Sequence, residues 1–307
     1  MVNGLGPGYR LDMGLHGWII LDKPVGLGST KAVSAVKRAL RDAGEPRTKV
    51  GHGGTLDPLA SGVLSIAIGE ATKLAGRMLD ATKQYAFRVS FGAETDTLDT
   101  EGEVVATSDV HPTASEIEAI LPRFTGPIEQ VPPAYSALKV DGKAAYARAR
   151  AGELLEMKPR TVTIHELQLL SATGDKADFI ATVSKGTYIR SLARDIARAL
   201  HTVGHVTMLR RTRAGPFGLD HAVSLDFLEE TAKARALTRV VMPLQAALDD
   251  IPALPVTPDQ ARLLRHGQRL AGFPETPGLQ LATLDDCPVA LVEATADGLT
   301  VVRGFNL

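Results

Sequence analysis

Within the stretch Val50–Leu64, one carboxylate, Asp57, stands between three glycines (Gly51, Gly53, Gly54) and Pro58. Glycines let the backbone turn tightly and come close to a ligand, while Pro58 restricts Asp57 to extended geometry and withholds a donor. The segment therefore reads as a stiff loop that presents a single acid, followed by the apolar strand-like run Val63–Ile68. The same pattern also makes ordinary turns. Its chemistry depends on what the rest of the chain brings to it.

The strongest complement is basic. From Lys185 to Arg213 there are seven Lys/Arg (Lys185, Arg190, Arg194, Arg198, Arg210, Arg211, Arg213) against one acid, Asp195, in a chain of formal net charge -1. Arg190, Arg194 and Arg198 recur at i, i+4 and i+8, which predicts one helix face, with Leu192, Ile196 and Leu200 on the other. Such a face is either solvated or holds an anion. An aromatic stands elsewhere: Gln84 to Gly92 alternates as a strand with Tyr85, Phe87, Val89 and Phe91 on one side, Tyr85 heading the row.

The elements that must position these groups follow in order. Residues 1–15 are glycine-rich without a period and are expected to form a loose arm. Trp18–Leu21 reads as a buried strand, and Ser29 as the cap of a helix with the stripe Val33, Val36, Leu40. Gly26–Lys31 lacks the spacing of a phosphate loop. The acidic stretch from Glu94 to Asp109 suggests a surface hairpin, and Thr113 to Leu121 a short helix. Pro132 and Pro133 with a turn at Asp141-Gly142 break the next stretch, before a helix over Ala144–Ala151 with Arg148 and Arg150 exposed. Two strands (Thr161–Leu170, Phe179–Ser184) precede the basic cluster. Between Met242 and Pro258 the period is lost, as at a domain junction. Beyond it a basic helix, Ala261–Arg269, and three strand-like runs (Leu279–Leu284, Val289–Glu293, Leu299–Arg303) suggest a small β module.

The 307 residues predict one large and one smaller unit, and 44% hydrophobic residues provide for a substantial core. The single cysteine, Cys287, excludes an internal disulfide framework or multi-cysteine zinc site and fits a reducing cytosol. No run is apolar enough for a membrane span or signal segment. The expectation is a soluble, cytoplasmic protein.

Six segments in this order closely resemble the bacterial tRNA pseudouridine-55 synthases of the TruB type. They are Leu21-Asp22-Lys23-Pro24, the loop Gly51 to Pro58, Tyr85 before Phe91 to Asp96, Pro132 to Lys139, Gly186 to Arg190, and His205 to Arg211. The resemblance covers nearly the whole chain. It implies an α+β pseudouridine synthase fold, with a mixed, largely antiparallel sheet flanked by helices over 1–248 and a PUA-like RNA-binding domain over 249–307. It implies Asp57 as the catalytic aspartate, Arg190 as its ion-pair partner and Tyr85 as the residue stacking on the target base. Tyr188 and Leu209 match residues lining the uridine pocket, and His52 matches a histidine that contacts the RNA near the flipped base. Lys23 belongs to the substrate-binding set. Lys185, Arg194, Arg198, Arg210, Arg211 and Arg265 are expected at the RNA backbone. Gly53 departs from the family, where a small hydroxylated residue is commoner.

The implied activity is isomerisation of the T-loop uridine of free tRNA, without guide RNA, by a monomer. The bond from ribose C1' to uracil N1 breaks, the base turns, and the sugar rejoins at C5, so no metal, nucleotide or redox cofactor is required. An ionised carboxylate attacks uracil C6 or the sugar C1', or removes the C2' proton; the sequence leaves the three routes open. A phenol, which ordinarily titrates near ~10, needs help to remove the C5 proton, and Tyr85 is the candidate. Flipping the base out of its stack costs a few kcal/mol, offset by stacking and phosphate contacts. Two rivals stand beside this reading. An RNA-binding, tRNA-folding factor would not need the acid, and a glycoside hydrolase would need a second carboxylate that no comparable loop supplies.

Overall fold

The computed structural model describes residues 10–11, 14–136, 138–140, 142–153, 155–272 and 277–307. Its principal sheet has nine strands. In chain order, β1 (Gly17–Lys23) leads to α1 (Ser29–Asp42), then β2 (Val50–His52), β3 (Ser61–Ile68), α2 (Ala75–Asp80) and β4 (Lys83–Phe91). A hairpin of β5 (Ala93–Thr95) and β6 (Val104–Thr107), then α3 (Ala114–Ile120), β7 (Gly126–Gln130) and α4 (Ala145–Arg150) follow. The unit is completed by β8 (Arg160–Thr173), β9 (Lys176–Val183), α5 (Ile189–Ala199), β10 (Gly204–Ala214) and α6 (Leu225–Lys233).

Across the sheet the order is β1-β3-β10-β4-β9-β8-β7, with β2 on β3 and Phe217–Gly218 on β10. Every pairing is antiparallel except β3 with β10, where Arg210 meets Ser61 and Arg211 meets Gly62. That exception matters for the site. Gly62 has φ +100°, and a Cβ there would lie 2.2 Å from the Arg211 carbonyl oxygen, so only glycine lets the strands meet.

Both faces of the sheet are covered. Alternation sends Ile19 and Leu21 of β1 into a core shared with Val36 of α1, Phe87 of β4 and Ile196 of α5. Trp18 and Ile20 point the other way, onto Phe217 and Leu244 and onto Leu281, Leu291 and Phe305. This two-sided burial explains why Trp18–Leu21 reads as an unbroken apolar run. Leu15 is also in the core, and Arg10–Leu11 pairs with Gly14–Leu15, so the described end of the expected loose arm is anchored. Residues 1–9, 12 and 13 lie outside the described residues, as does Asp141 of the expected turn.

The C-terminal residues form a four-stranded sheet, β11 (Ala253–Pro255), β12 (Gly278–Leu284), β13 (Cys287–Thr295) and β14 (Gly298–Gly304), covered by α7 (Pro258–Arg265). Its junction with the large sheet is packed and bonded: the Trp18 indole donates to the Leu244 carbonyl at 3.0 Å, and Arg77 holds Asp250 at 2.8 Å. Among the described residues, no helix is long and apolar enough to cross a membrane.

Candidate active site

The Asp57 loop joins β2 to β3 and is tied down at nearly every residue. Gly53 N–H donates to Ser65 O at 2.9 Å; Arg211 donates to Gly54 O (3.3 Å), Thr55 O (3.1 Å) and Val63 O (2.7 Å). Ser29 Oγ accepts from Leu56 N at 2.8 Å and donates to Leu56 O at 2.9 Å. On the far side, Gly26 N–H donates to Pro58 O at 2.8 Å, and Lys23 Nζ donates to Leu27 O (2.7 Å) and Pro24 O (2.9 Å). A loop held this way delivers its carboxylate to a fixed point.

Arg190 meets that carboxylate. It sits in the first turn of α5, its side chain 6% exposed, and its Nη2 lies 2.7 Å from Asp57 Oδ2. The same guanidinium lies 3.2 Å from Asp99 Oδ2 through Nη1 and donates to the carbonyls of Thr97 (2.8 Å) and Tyr135 (3.0 Å). Asp99 is 3% exposed and its Oδ1 accepts from Thr97 Oγ1 (2.6 Å) and Glu101 N (2.9 Å). The chain of contacts runs from the hairpin through Asp99 and Arg190 to Asp57. Planar guanidinium donors suit such a double role, because each edge fixes one partner.

Asp57 and Arg190 lie in the wall of a cavity of about 260 Å³. Tyr85, Tyr188 and Leu209 line it as well, with Lys83, Leu79 and Arg160. Arg160 places its guanidinium carbon 4.8 Å from the Tyr188 ring centre and donates to Gly186 O, which braces one face of the ring. Lys83 donates to the carbonyls of Met78 (2.9 Å), Leu79 (2.6 Å) and Ala81 (2.6 Å), closing the end of α2. Burial, with help from the Arg211 charge, pulls the Lys83 ammonium down to about 8. Burial does the same to Lys23, also to about 8, opposed by the charge of Asp57.

Of the residues expected at the site, Asp57, Tyr85, Tyr188, Arg190 and Leu209 converge on one cavity. His52 does not line it; its Nδ1 faces Gly54 N at 3.4 Å, and burial lowers its pKa. Lys23, expected to bind substrate, is 0% exposed and is turned onto the carbonyls of Pro24 and Leu27, with Pro58 O of the Asp57 loop 3.5 Å away. Arg211, expected at the RNA backbone, is 1% exposed; its charge is spent on loop carbonyls. Ser29 is not the cap of α1, a position held by Gly28, but the clamp on Leu56.

The single basic face of α5 is likewise divided. Arg190 is buried, Arg194 bonds Asp195 and the Val131 carbonyl with 12% of its side chain exposed, and Arg198 is exposed and pairs with Glu94. Lys185 pairs with Asp80 at 2.9 Å and Arg210 with Asp22 at 2.7 Å, both reaching the surface, and Arg265 is exposed on α7. The reading of Glu94 to Asp109 as a surface hairpin holds for its pairing but not its burial, since Glu94, Thr95 and Asp99 are buried. Asp99, Arg160 and Lys83 are site residues that the sequence reading missed. For Asp99 a signal existed in Leu98, an apolar residue inside an acidic stretch; here it is buried with φ +63°.

Gly53 has a steric reason. A Cβ there would lie 2.4 Å from Met78 Cβ, an atom fixed to the α2 backbone. Gly53→Ser is therefore expected to push α2 and the loop apart, lowering stability by about 1–3 kcal/mol as overpacking does. A melting temperature unchanged from that of the unaltered chain would refute this.

The comparisons agree with the geometry. The family description "TruB family pseudouridylate synthase (N terminal domain)" matches residues 38–189, and "tRNA pseudouridylate synthase B C-terminal domain" matches 190–249. A protein of Zymomonas mobilis called tRNA pseudouridine synthase B is 60% identical over 95% of this chain and 96% of its own length. One of the same name from Novosphingobium aromaticivorans is 60% identical over 95% and 98%. Among solved structures, that of the archaeal box H/ACA sRNP Nop10-Cbf5 complex superposes with TM-score 0.70 at 26% identity, covering 98% of this chain and 89% of its counterpart. A structure of an H/ACA RNP bound to a substrate RNA containing 2'-deoxyuridine shares the fold, with TM-score 0.71 at 23% identity over 100% and 94%. The chain belongs to the TruB family of pseudouridylate synthases, which are isomerases.

Proposed function

We propose that this protein converts the T-loop uridine at position 55 of free tRNA to pseudouridine, in the cytoplasm, as a monomer and without a guide RNA. The observation that carries the reading is the Asp57–Arg190 pair at 2.7 Å, in the wall of a cavity that Tyr85, Tyr188 and Leu209 also line. The names of the relatives at 60% identity support tRNA as the substrate. The target uridine leaves its stack and enters the cavity, with Tyr85 and Tyr188 supplying the faces on which it stacks.

Asp57 supplies the carboxylate that works on the glycosidic bond, and Arg190 fixes its position. The uracil detaches at N1, turns within the cavity, and bonds through C5 to C1'; the proton displaced from C5 passes to a base, for which Tyr85 is the candidate. Lys185, Arg194, Arg198, Arg210 and Arg265 take the RNA backbone, with the C-terminal sheet and α7 as a PUA-like unit on the acceptor side. Arg211 acts by holding the loop, and Lys23 by fixing the adjoining turn at Pro24 and Leu27.

Incubating the protein with a T-arm minihelix, and mapping carbon-linked uracil by mass spectrometry, is expected to find one modified position, uridine 55. Product at another position would overturn the assignment, and release of free uracil would favour a hydrolase.

A further inference from the structure

Outside the active site, a second concave surface of about 870 Å³ lies between the C-terminal half of α1, the loop that follows it, and β2. Four cations line it, Lys37, Arg41, Arg47 and Lys49, against one acid, Glu45. Arg41 shares a 3.4 Å contact with Asp42 while remaining largely exposed. Among the described residues, Lys37, Arg47 and Lys49 have no ion-pair partner, and all three are exposed. In a chain of net charge -1 this is a local excess of positive charge. Like charges in one concavity repel one another, and an anion in the concavity relieves that repulsion.

The groove adjoins the strand that runs into the Asp57 loop. Its wall includes Val50 and Gly51 of β2, whose next residue is His52 and whose chain continues into the Asp57 loop. Lys49 and His52 are separated by one short strand, about 10 Å at the usual rise per residue. The outer edge of β2 pairs with no strand among the described residues, so nothing in the sheet covers this approach.

We infer that this groove holds the sugar-phosphate backbone of the RNA substrate, on nucleotides flanking those that enter the cavity, through Lys37, Arg47 and Lys49. The inference rests on the proposed tRNA substrate. Phosphate contacts position a nucleic acid without reading its sequence, and each one releases counterions. Removing them therefore has a signature that removing a structural side chain lacks.

The test uses the full chain carrying Lys37→Gln, Arg47→Gln and Lys49→Gln together, with unmodified tRNA as the probe. A control carries Arg123→Gln, Lys176→Gln and Lys233→Gln, three exposed cations outside both concavities. The groove variant is expected to bind tRNA about ten-fold or more weakly at moderate salt, and its slope of log affinity against log salt is expected to flatten by about 2, three contacts at ~0.7 each. Its melting temperature and its single-turnover rate at saturating tRNA stay as they were. Unchanged affinity and slope would overturn the inference, as would an equal loss in the control. If the unaltered chain binds tRNA but forms no pseudouridine, the proposed function fails while the binding comparison still judges the groove.

Discussion

Asp57→Asn is expected to lower the rate of pseudouridine formation by on the order of 10^4 or more, the scale seen when a side chain acting on the reacting bond is removed. The substitution nearly preserves shape. The loop is held by Ser29 and Arg211 through backbone groups of neighbouring residues, none of which changes. The Asp57 side chain is 42% exposed, so losing its charge leaves the core untouched. The melting temperature should shift little and tRNA affinity should stay within a few fold. Single-turnover measurement at saturating tRNA checks the chemistry, and filter binding checks the affinity. Retained turnover would remove Asp57 from the mechanism and return the protein to the RNA-binding alternative.

The legible parts of this molecule are those in which a local rule and the tertiary structure agree. Tyr85, Phe87, Val89 and Phe91 alternate because β4 is central in the sheet, with Phe87 and Val89 buried in one core. The Asp57 loop is legible because Gly53, Gly54 and Pro58 announce an unusual backbone. Arg211 is illegible for an equally physical reason. Adjacent residues of a strand point to opposite faces, so Arg210 and Arg211 must part, and the sequence does not say which goes inward. The parallel contact with Gly62 and the free loop carbonyls decide it.

A similar ambiguity hides the helix. The spacing of Arg190, Arg194 and Arg198 places them on one face, but where that face meets the rest of the protein depends on how α5 sits on the sheet. Its first turn abuts the Asp57 loop, while Arg198 remains in solvent. Asp99 was concealed by its neighbours. In a stretch rich in acids, composition suggests hydration throughout, and only three-dimensional structure singles out the carboxylate opposite a buried guanidinium.

That buried carboxylate makes the second large effect separable from the first. Arg190→Met is expected to abolish turnover and also to lower stability by about 3–5 kcal/mol, because it leaves Asp99 buried without its cation. It also deprives the carbonyls of Thr97 and Tyr135 of donors. Adding Asp99→Asn to Arg190→Met removes the stranded charge, so the double variant should recover about half of the lost stability. It should recover none of the turnover, since Asp57 still lacks the group that fixes it. Chemical denaturation of the two single variants, the double variant and the unaltered chain completes the cycle, with product formation measured on each. A double variant no more stable than Arg190→Met would show that Asp99 is not the stranded charge. An Arg190→Met chain within ten-fold of full turnover would separate the guanidinium from catalysis and leave it a structural residue.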